Sequence, residues 1–505
     1  MKILITGGTG VIGAGVIPAL LEKGHELRLL SRGADRDARE WPHGVEPFAA
    51  DIGHPTELLG AADGCDAVIH ITGIVDEKPP EVTFESVNVA GTRNMLTEAD
   101  RAGVKRFVYI SSLGADRGKS DYHRSKLKAE EEVKLYSREW VILRPGNVYG
   151  PGDDVISALL KMVRSFPAIP TVDGGDQSFQ PVWFEDLGQA IAGAVERPDA
   201  AHQTLALAGE ELTSTTDIIE RLGRITDRDP VQVSIPAPLA AMGTQLAGMF
   251  GALTESLTSM MGVALPISQS KLTMLLEENV IREPEVNALT SALGIRPTPL
   301  DTGLKVLADE LPELLPTDGV GSMERKRFWA DIEGPKLTHT GMMTLFKEHV
   351  NDIMPMEFAA EPGAPTRIEK GFTLTANIPM RGNIQVRVEE CTDDRVTFAT
   401  VEGHPLAGIV TFRTEQLPGV VRFIVEIHAR ASNIFDWIAM RTVGRTMQNT
   451  NWEQVVERMV EKSGGEAPDG VESDTETLDD SEAEAVEKWI ESLITERKRQ
   501  EHGAI

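Results

Sequence analysis

Three side chains in this sequence are of the right types to move a proton to and from a carbonyl oxygen. Tyr122 and Lys126 stand four residues apart in Tyr122-His123-Arg124-Ser125-Lys126, so on a helix they share one face. A phenol is a poor base at its ordinary pKa of about 10, and a neighbouring ammonium favours the phenolate. Ser112 ends the run Tyr109-Ile110-Ser111-Ser112, where its hydroxyl can meet a substrate carbonyl as charge develops on the oxygen. The expected catalytic set is therefore Ser112, Tyr122 and Lys126. A Tyr-x-x-x-Lys spacing recurs by chance, so its meaning depends on the elements that carry it.

Those elements begin at the first residue. The apolar run Met1-Lys2-Ile3-Leu4-Ile5 leads into Thr6-Gly7-Gly8-Thr9-Gly10-Val11-Ile12-Gly13. This reads as a buried strand turning tightly into a helix (expected over Val16 to Lys23), with glycines where a side chain would hold the backbone away from a pyrophosphate. Gly8, Gly10 and Gly13 satisfy G-x-G-x-x-G, and Gly7, Gly10 and Gly13 satisfy the related G-x-x-G-x-x-G spacing. The free N–H groups and positive dipole end of the following helix would face the phosphates. Gly7, Thr9, Gly10, Val11, Ile12 and Gly13 form the expected cofactor contacts on this turn.

The identity of the nucleotide turns on the end of the second strand, Leu29-Leu30-Ser31-Arg32. An NAD site normally offers a carboxylate here for the ribose 2′-hydroxyl. Ser31 and Arg32 offer a hydroxyl and a guanidinium suited to a 2′-phosphate, which favours NADP over NAD. A solvated loop arginine would read the same way. Asp51, in Ala49-Ala50-Asp51-Ile52, fits either an acceptor for an adenine amino group or a loop cap.

From Glu26 to Leu143 strands and helices alternate: strands at Glu26 to Leu30, Ala67 to Ile71, Arg106 to Ile110 and Trp140 to Leu143, helices at Thr92 to Ala102 and Tyr122 to Leu135. Val-, Ile- and Leu-rich strands separated by helices imply a parallel sheet covered on both faces. Pro167, Pro170 and Asp173-Gly174-Gly175-Asp176 break the rhythm, and Pro236 to Leu311 reads as a mainly helical cap. Beyond a linker near Gly319 to Gly321, strands are expected at Phe372 to Ile378, Gly382 to Val388, Arg395 to Thr400, Ala407 to Arg413 and Val420 to Ile427. Polar turns and no helical crossovers separate them, so their sheet should be antiparallel. A helix over Ile434 to Val460 follows, then the acidic stretch Gly464 to Asp480, expected to be disordered. Ala483 to Gln500 is a last helix with acids early and bases late, matching its dipole.

Composition limits the partners. The 505 residues carry a net charge of −28, which speaks against nucleic acid because phosphate binding needs clustered Lys and Arg. Two distant cysteines, Cys65 and Cys391, make no disulfide framework and suit a reducing, cytoplasmic compartment. Met1 leads directly into a strand, so no signal peptide is expected. Ala237 to Leu265 is apolar but interrupted by Gln245 and Glu255, which suits a buried or interfacial helix better than a membrane span. Peripheral membrane contact through Met242 to Met261 remains a further possibility. The 11 histidines and 2 cysteines show no metal-ligand spacing.

With these motifs in place, residues 1 to 310 resemble the extended or atypical branch of the short-chain dehydrogenase/reductase superfamily. The resemblance rests on Thr6 to Gly13, Asp51-Ile52, Asn88-Val89-Ala90-Gly91-Thr92, Ser112, Tyr122 with Lys126, and Arg144-Pro145-Gly146-Asn147-Val148-Tyr149-Gly150. Phe179 to Asp186 is similar to the atypical group containing the NAD(P)-binding subunit of respiratory complex I. The resemblance implies that Ile52 joins Asp51 at the cofactor, that Thr72 and Gly73 flank it, and that Pro145 to Val148 line the nicotinamide. It implies Ser112 as carbonyl-orienting residue, Tyr122 as acid/base and Lys126 as its activator, with Tyr122 and Lys126 also touching the cofactor. Ser112-Leu113-Gly114-Ala115-Asp116 lacks the Tyr-Gly segment usual in sugar-nucleotide enzymes of this branch.

Gly403-His404-Pro405, Gly408, Phe412, Val420 to Ile427 and the long closing helix resemble a helix-grip (START-like) family, whose curved sheet can enclose an apolar ligand. His404 reads as a turn residue or, less readily, as a ligand contact, and Asn449-Thr450-Asn451-Trp452 as helix packing. The expected architecture is α/β: a Rossmann-type doubly wound parallel sheet with a small helical cap, then an α+β helix-grip domain with an antiparallel sheet. Its segments are 1–235 (nucleotide binding), 236–318 (helical cap), 322–463 (helix-grip), 464–482 (acidic disordered linker) and 483–505 (charged helix). The function expected is an NADP-dependent oxidoreductase for a carbonyl or alcohol of an unknown, apolar small molecule. The alternative is a non-catalytic NADP(H)-binding module, a redox sensor or an assembly factor.

Overall fold

The structure, a computed structural model, describes residues 1–38, 41–166, 168–238, 273–274, 276–355, 368–378, 382–433, 436 and 445–502. The segments Ala237 to Leu265 and Met242 to Met261 lie almost wholly outside these residues, as does the start of the helix expected from Ile434. The chain divides into two compact units, the first ending at Glu310 and the second beginning at Leu311.

The first unit is built on seven parallel strands: β1 (Lys2–Thr6), β2 (Glu26–Ser31), β3 (Val45–Ala49), β4 (Ala67–His70), β5 (Arg106–Ile110), β6 (Glu139–Pro145) and β7 (Gln203–Leu207). Their order is β7-β6-β5-β4-β1-β2-β3, so the direction of winding reverses beside β1, where ligands of such sheets bind. Helices α1 (Val11–Glu22), α2 (Thr92–Ala102) and α3 (Asp121–Lys134) connect them. Ile3 and Ile5 pack into one apolar layer and Leu4 into the other, so β1 is buried on both faces. The expectation of a doubly wound parallel sheet is met. Its two edge strands, β3 and β7, escape the sequence pattern because an edge strand is half exposed and tolerates the Glu46-Pro47 pair.

After β6 come α4 (Ile156–Ser165), α5 (Phe184–Glu196), α6 (Thr215–Thr226) and α7 (Leu300–Asp309). Helices α1 and α5 touch through glycine: a Cβ on Gly15 would lie 2.2 Å from the Phe184 carbonyl oxygen, and one on Gly188 2.3 Å from the Gly15 carbonyl carbon. That contact seats α1 and the glycine turn that precedes it. Helices α4, α6 and α7 enclose Tyr149, Phe179 and Trp183 in a separate apolar cluster. In the described part of the expected cap between residues 276 and 310, the α-helices are Ala288–Ser291 and α7.

The second unit carries an antiparallel sheet of seven strands: β8 (Val320–Glu333), β9 (Thr373–Ile378), β10 (Gly382–Cys391), β11 (Arg395–Thr400), β12 (Leu406–Leu417), β13 (Val420–Ala431) and β14 (Glu472–Thr477). The order is β9-β10-β11-β12-β13-β8-β14. Phe328, Phe398, Phe412 and Phe423 form its apolar face, with α8 (His339–Glu348) and α9 (Arg445–Ser463) packed on it. Phe346 of α8 stacks on Phe412 at 4.5 Å, and Trp452 of α9 meets the same ring edge-on, a packing role for that residue. Helix α10 (Asp480–His502) lays Ile490 and Ile494 on Ala399 and Ile409, whose side chains leave the sheet on the opposite side from Phe398 and Phe412.

Three boundaries differ from expectation. Residues 311–318 belong to the second unit, because Leu314 N–H bonds Thr400 O at 2.8 Å and Glu402 N–H bonds Pro312 O at 2.9 Å. The acidic stretch is not a disordered linker: Glu472–Thr477 is β14, paired antiparallel with β8. Its acids recur at every second residue, and Asp474 and Glu476 pair with Arg327 and Arg325. The last helix starts at Asp480 and is part of this unit. His404 is a turn residue, with Nδ1 accepting Leu406 N–H at 3.0 Å.

Candidate nucleotide-binding and catalytic site

The glycine turn is closed against protein on all sides but one. Gly7 has φ +71, and a Cβ there would lie 2.6 Å from Thr72 N; a Cβ on Gly13 would lie 1.9 Å from Gly8 O. A Cβ on Gly10 would meet nothing nearer than Gly7 O at 3.8 Å, so this residue borders open space. The first bond of α1 is Ala14 N–H to Gly10 O at 3.0 Å, which leaves the N–H groups of Val11, Ile12 and Gly13 without helical acceptors. Thr9 and Gly10 are exposed beside them. A diphosphate fits this arrangement: donors, dipole and backbone access coincide.

At the end of β2, Ser31 Oγ is buried without a hydrogen-bond partner, an orphaned group of the kind a ligand satisfies. Arg32 is exposed and forms no ion pair among the described residues, whereas Arg28 pairs with Glu46 and Arg36 with Asp37. Asp51 accepts Gly53 N–H at 2.8 Å. Ile52 is fixed from two directions: Asn94 Nδ2 donates to its carbonyl at 2.9 Å, and a Cβ on Gly91 would strike its Cδ1 at 2.6 Å.

A buried polar chain links the glycine turn to the next segment. Thr92 Oγ1 donates to Asn88 O at 2.7 Å, so at its 3.1 Å contact with His70 it must accept from Nε2–H. His70 Nδ1 is then the acceptor for the Thr6 hydroxyl at 2.7 Å. Burial pushes the His70 pKa down to about 3, with Lys126 adding to the effect, so the ring is neutral as this tautomer requires.

Asn88 lies on a π-helical segment, Glu85–Gly91, a form often found at functional sites. Its Oδ1 accepts Ile74 N–H at 2.8 Å, and its Nδ2 donates to Ile74 O at 3.1 Å and Ser125 Oγ at 2.9 Å. One carboxamide thus pins the loop after β4, which carries Thr72 and Gly73, to the helix that carries Tyr122 and Lys126. Lys126 is buried, with Nζ donating to Ile110 O at 2.8 Å and lying 4.9 Å above the Tyr109 ring. A Cβ on Gly73 would sit 3.1 Å from the same Nζ. Desolvation lowers the Lys126 pKa to about 8 against the pull of Glu130. Desolvation likewise pushes Tyr122 up to about 12, and its hydrogen bond with Ser112 opposes the rise.

The structure places Ser112 beside Tyr122, and Lys126 one turn further along the same helix and against Gly73. Pro145 O accepts Leu113 N–H at 2.9 Å, which brings the Pro145-to-Val148 segment beside Ser112. Val148 continues into a two-residue parallel pairing with Val182 and Trp183. Ser31, Arg32 and Asp51 belong to the β2–β3 side of the sheet, in line with the adenosine half of a dinucleotide.

Some residues carry the site without a sequence signal that singled them out. Glu130, fully buried, receives two bonds from Arg144 (2.8 and 2.7 Å) and one from Ser111 Oγ at 2.6 Å. It lies four residues beyond Lys126, a spacing that points to the same face. Residues 276–285 pass over the start of α3. Glu277 Oε2 contacts His123 Nδ1 at 2.8 Å, and Asn279 Nδ2 donates to Asn147 Oδ1 at 2.7 Å. This segment has neither helical nor strand periodicity, so nothing in its sequence shows where it goes.

Comparison with known proteins bears on the first unit. Residues 3–208 match the NAD dependent epimerase/dehydratase family. The chain is 27% identical over 256 residues to ceramide reductase of Caulobacter vibrioides, covering 50% of this chain and 80% of that protein. It is 27% identical over 261 residues to UDP-glucose 4-epimerase of Vibrio cholerae, covering 46% and 79%. To NADH dehydrogenase (ubiquinone) 1 alpha subcomplex subunit 9 of Arabidopsis thaliana it is 25% identical over 244 residues, covering 47% and 60%. Among the described residues no helix is long and apolar enough to cross a membrane. The strands of the parallel sheet, its glycine turn and the Ser112–Tyr122–Lys126 set fall within the matched span, so the likeness to the NAD dependent epimerase/dehydratase family is carried by the first unit.

Proposed function

We propose that this protein is an NADP-dependent oxidoreductase that interconverts a carbonyl and an alcohol on an apolar small molecule. The observation that carries the proposal is the seating of Lys126, one helical turn from Tyr122, with its buried Nζ on Ile110 O at 2.8 Å and against Gly73, while Ser112 stands beside Tyr122. Gly7, Thr9, Gly10 and the first turn of α1 would hold the diphosphate, and Ser31 Oγ with Arg32, exposed and without an ion pair among the described residues, would hold a 2′-phosphate. When bound, the nicotinamide supplies or accepts the hydride. Ser112 steadies the carbonyl oxygen, Tyr122 gives it the proton in reduction and takes it back in oxidation, and Lys126 favours the phenolate between turnovers. Support for an apolar substrate comes from the absence of a Tyr-Gly segment after Ser112 and from the relative named for reducing a ceramide.

The antiparallel sheet backed by α8 and α9 supports the helix-grip reading of the second unit. Free Cys65 and Cys391 support a reducing, cytoplasmic setting.

The deciding experiment is mass spectrometry of small molecules released from the purified protein, followed by titration with NADPH and NADH. NADPH should bind at least tenfold more tightly than NADH, and Arg32→Glu should reverse that order. Hydride exchange with a broad panel of apolar carbonyls should then be lost in Tyr122→Phe. Tight NADPH binding with no exchange across the panel would instead favour a non-catalytic nucleotide-binding module, in keeping with the complex I subunit among the relatives.

A further inference from the structure

Residues 276–285 are tied down at both ends of the catalytic region. Near α3, Glu277 Oε2 contacts His123 Nδ1 at 2.8 Å and Arg117 pairs with Glu285 at 3.1 Å. Near the end of β6, Gln180 N–H bonds Asn279 O at 2.9 Å, Asn279 N–H bonds Ser178 O at 3.2 Å, and Ile281 N–H bonds Gln180 Oε1 at 2.8 Å. The backbone on either side of Asn279 is thus fixed, and its carboxamide has little freedom.

The two ends of that carboxamide fare differently. Nδ2 donates to Asn147 Oδ1 at 2.7 Å, between Pro145 and Val148 in the chain. Oδ1 is buried and has no hydrogen-bond partner. An unsatisfied buried acceptor is unfavourable, and native structures keep few of them. Here the unsatisfied acceptor stands two residues after Glu277, which contacts His123, next in sequence to Tyr122.

We propose that Asn279 is a substrate-binding residue whose Oδ1 accepts a hydrogen bond from a hydroxyl or amide N–H that the substrate carries beside its reacting carbonyl. The proposal rests on the oxidoreductase reading of the same site and narrows it. The substrate class becomes apolar ketones, or the corresponding alcohols, with a neighbouring hydrogen-bond donor, in place of simple aliphatic ketones. A site built to accept such a bond rejects an analogue that lacks the donor, because its buried acceptor is then left unpaired.

The test compares 1-hydroxydodecan-2-one with dodecan-2-one, a pair that differs in one hydroxyl. Affinity for the NADPH-saturated protein is read by calorimetry, so the result does not depend on turnover. Wild type should bind the hydroxyketone at least tenfold more tightly. Asn279→Leu should bring the two within twofold by weakening the hydroxyketone alone, and Asn279→Asp, which keeps an acceptor oxygen, should retain most of the preference. Equal affinities in wild type (no measurable binding of either ketone included), or an equal loss for both ketones in Asn279→Leu, would overturn the proposal. Turnover is scored separately: a preference in binding without any hydride exchange would leave Asn279 as a ligand contact and remove the oxidoreductase reading.

Discussion

Asn88 donates to Ser125 Oγ at 2.9 Å while Ser125 Oγ donates to Tyr122 O at 2.7 Å, so the first turn of α3 is held by a residue more than thirty positions earlier. Asn88→Ala removes that hold and leaves the Ile74 N–H without its acceptor, a loss of about 1–3 kcal/mol. Turnover should fall at least tenfold while NADPH affinity changes by less than threefold. An unchanged kcat in a correctly folded variant would show that α3 does not depend on this bond.

Tyr122→Phe and Lys126→Met should each lower kcat by roughly 10² to 10⁴, the range for a positioned acid–base group. Tyr122→Phe should still bind NADPH with near wild-type affinity. Lys126→Met also leaves Ile110 O without its 2.8 Å donor, so its melting temperature needs to be recorded beside its activity.

The glycine turn separates folding from binding. Gly10→Ala adds a methyl that meets no protein atom closer than 3.8 Å, so its melting temperature should match wild type while NADPH affinity drops at least tenfold. Gly13→Ala places a Cβ 1.9 Å from Gly8 O and should lower the melting temperature as well. Equal behaviour of the two variants in both assays would remove the open side from the account of this turn.

His70 makes stability depend on pH. Its folded pKa is held down near 3 by burial, against about 6.5 when unfolded. Below the unfolded value the unfolded chain takes up a proton that the folded chain refuses, so stability is full above about pH 6.5 and declines as the pH falls toward 3, by about 1.4 kcal/mol per pH unit. Urea unfolding at pH 8, 6 and 5 should show this slope, and His70→Gln should be flatter by that amount even if less stable at pH 8.

In the second unit, buried Arg497 donates to Glu389 Oε2 at 2.8 Å and also pairs with Glu313. Burial pushes the Glu389 carboxyl up, and Arg497 counters it. Arg497→Met removes the countering charge and should cost about 3–5 kcal/mol in the unfolding of this unit, whereas exposed Lys488→Met should change little. A difference of under 1 kcal/mol between the two variants would contradict the structure.

What the sequence conveyed about this fold follows physical lines. Strands β1, β4 and β5 are continuous apolar runs because both faces of a parallel sheet are covered, and the glycine turn announces itself because only glycine fits at Gly7 and Gly13. Ser112, Tyr122 and Lys126 could be grouped because two of them obey helical spacing. Strand β14 was missed because its alternation is acid against hydroxyl, Glu472-Ser473-Asp474-Thr475-Glu476-Thr477, with no apolar face to reveal it. Asn279 is invisible for another reason: its place depends on hydrogen bonds that it donates to Ser178 O and Asn147 Oδ1 and accepts from Gln180 N–H, residues far away in the chain.

Strand β8 pairs on one side with β13 and on the other with β14, and the Arg327–Asp474 contact closes a loop of 147 residues. On a ribosome, β8 emerges first among these strands and waits for both neighbours. Until residues 472–477 follow, its outer edge offers unpaired backbone groups to any other nascent chain, which is how open sheet edges start aggregation. A chain cut short near residue 465 should therefore accumulate as insoluble material rather than as a slightly smaller protein.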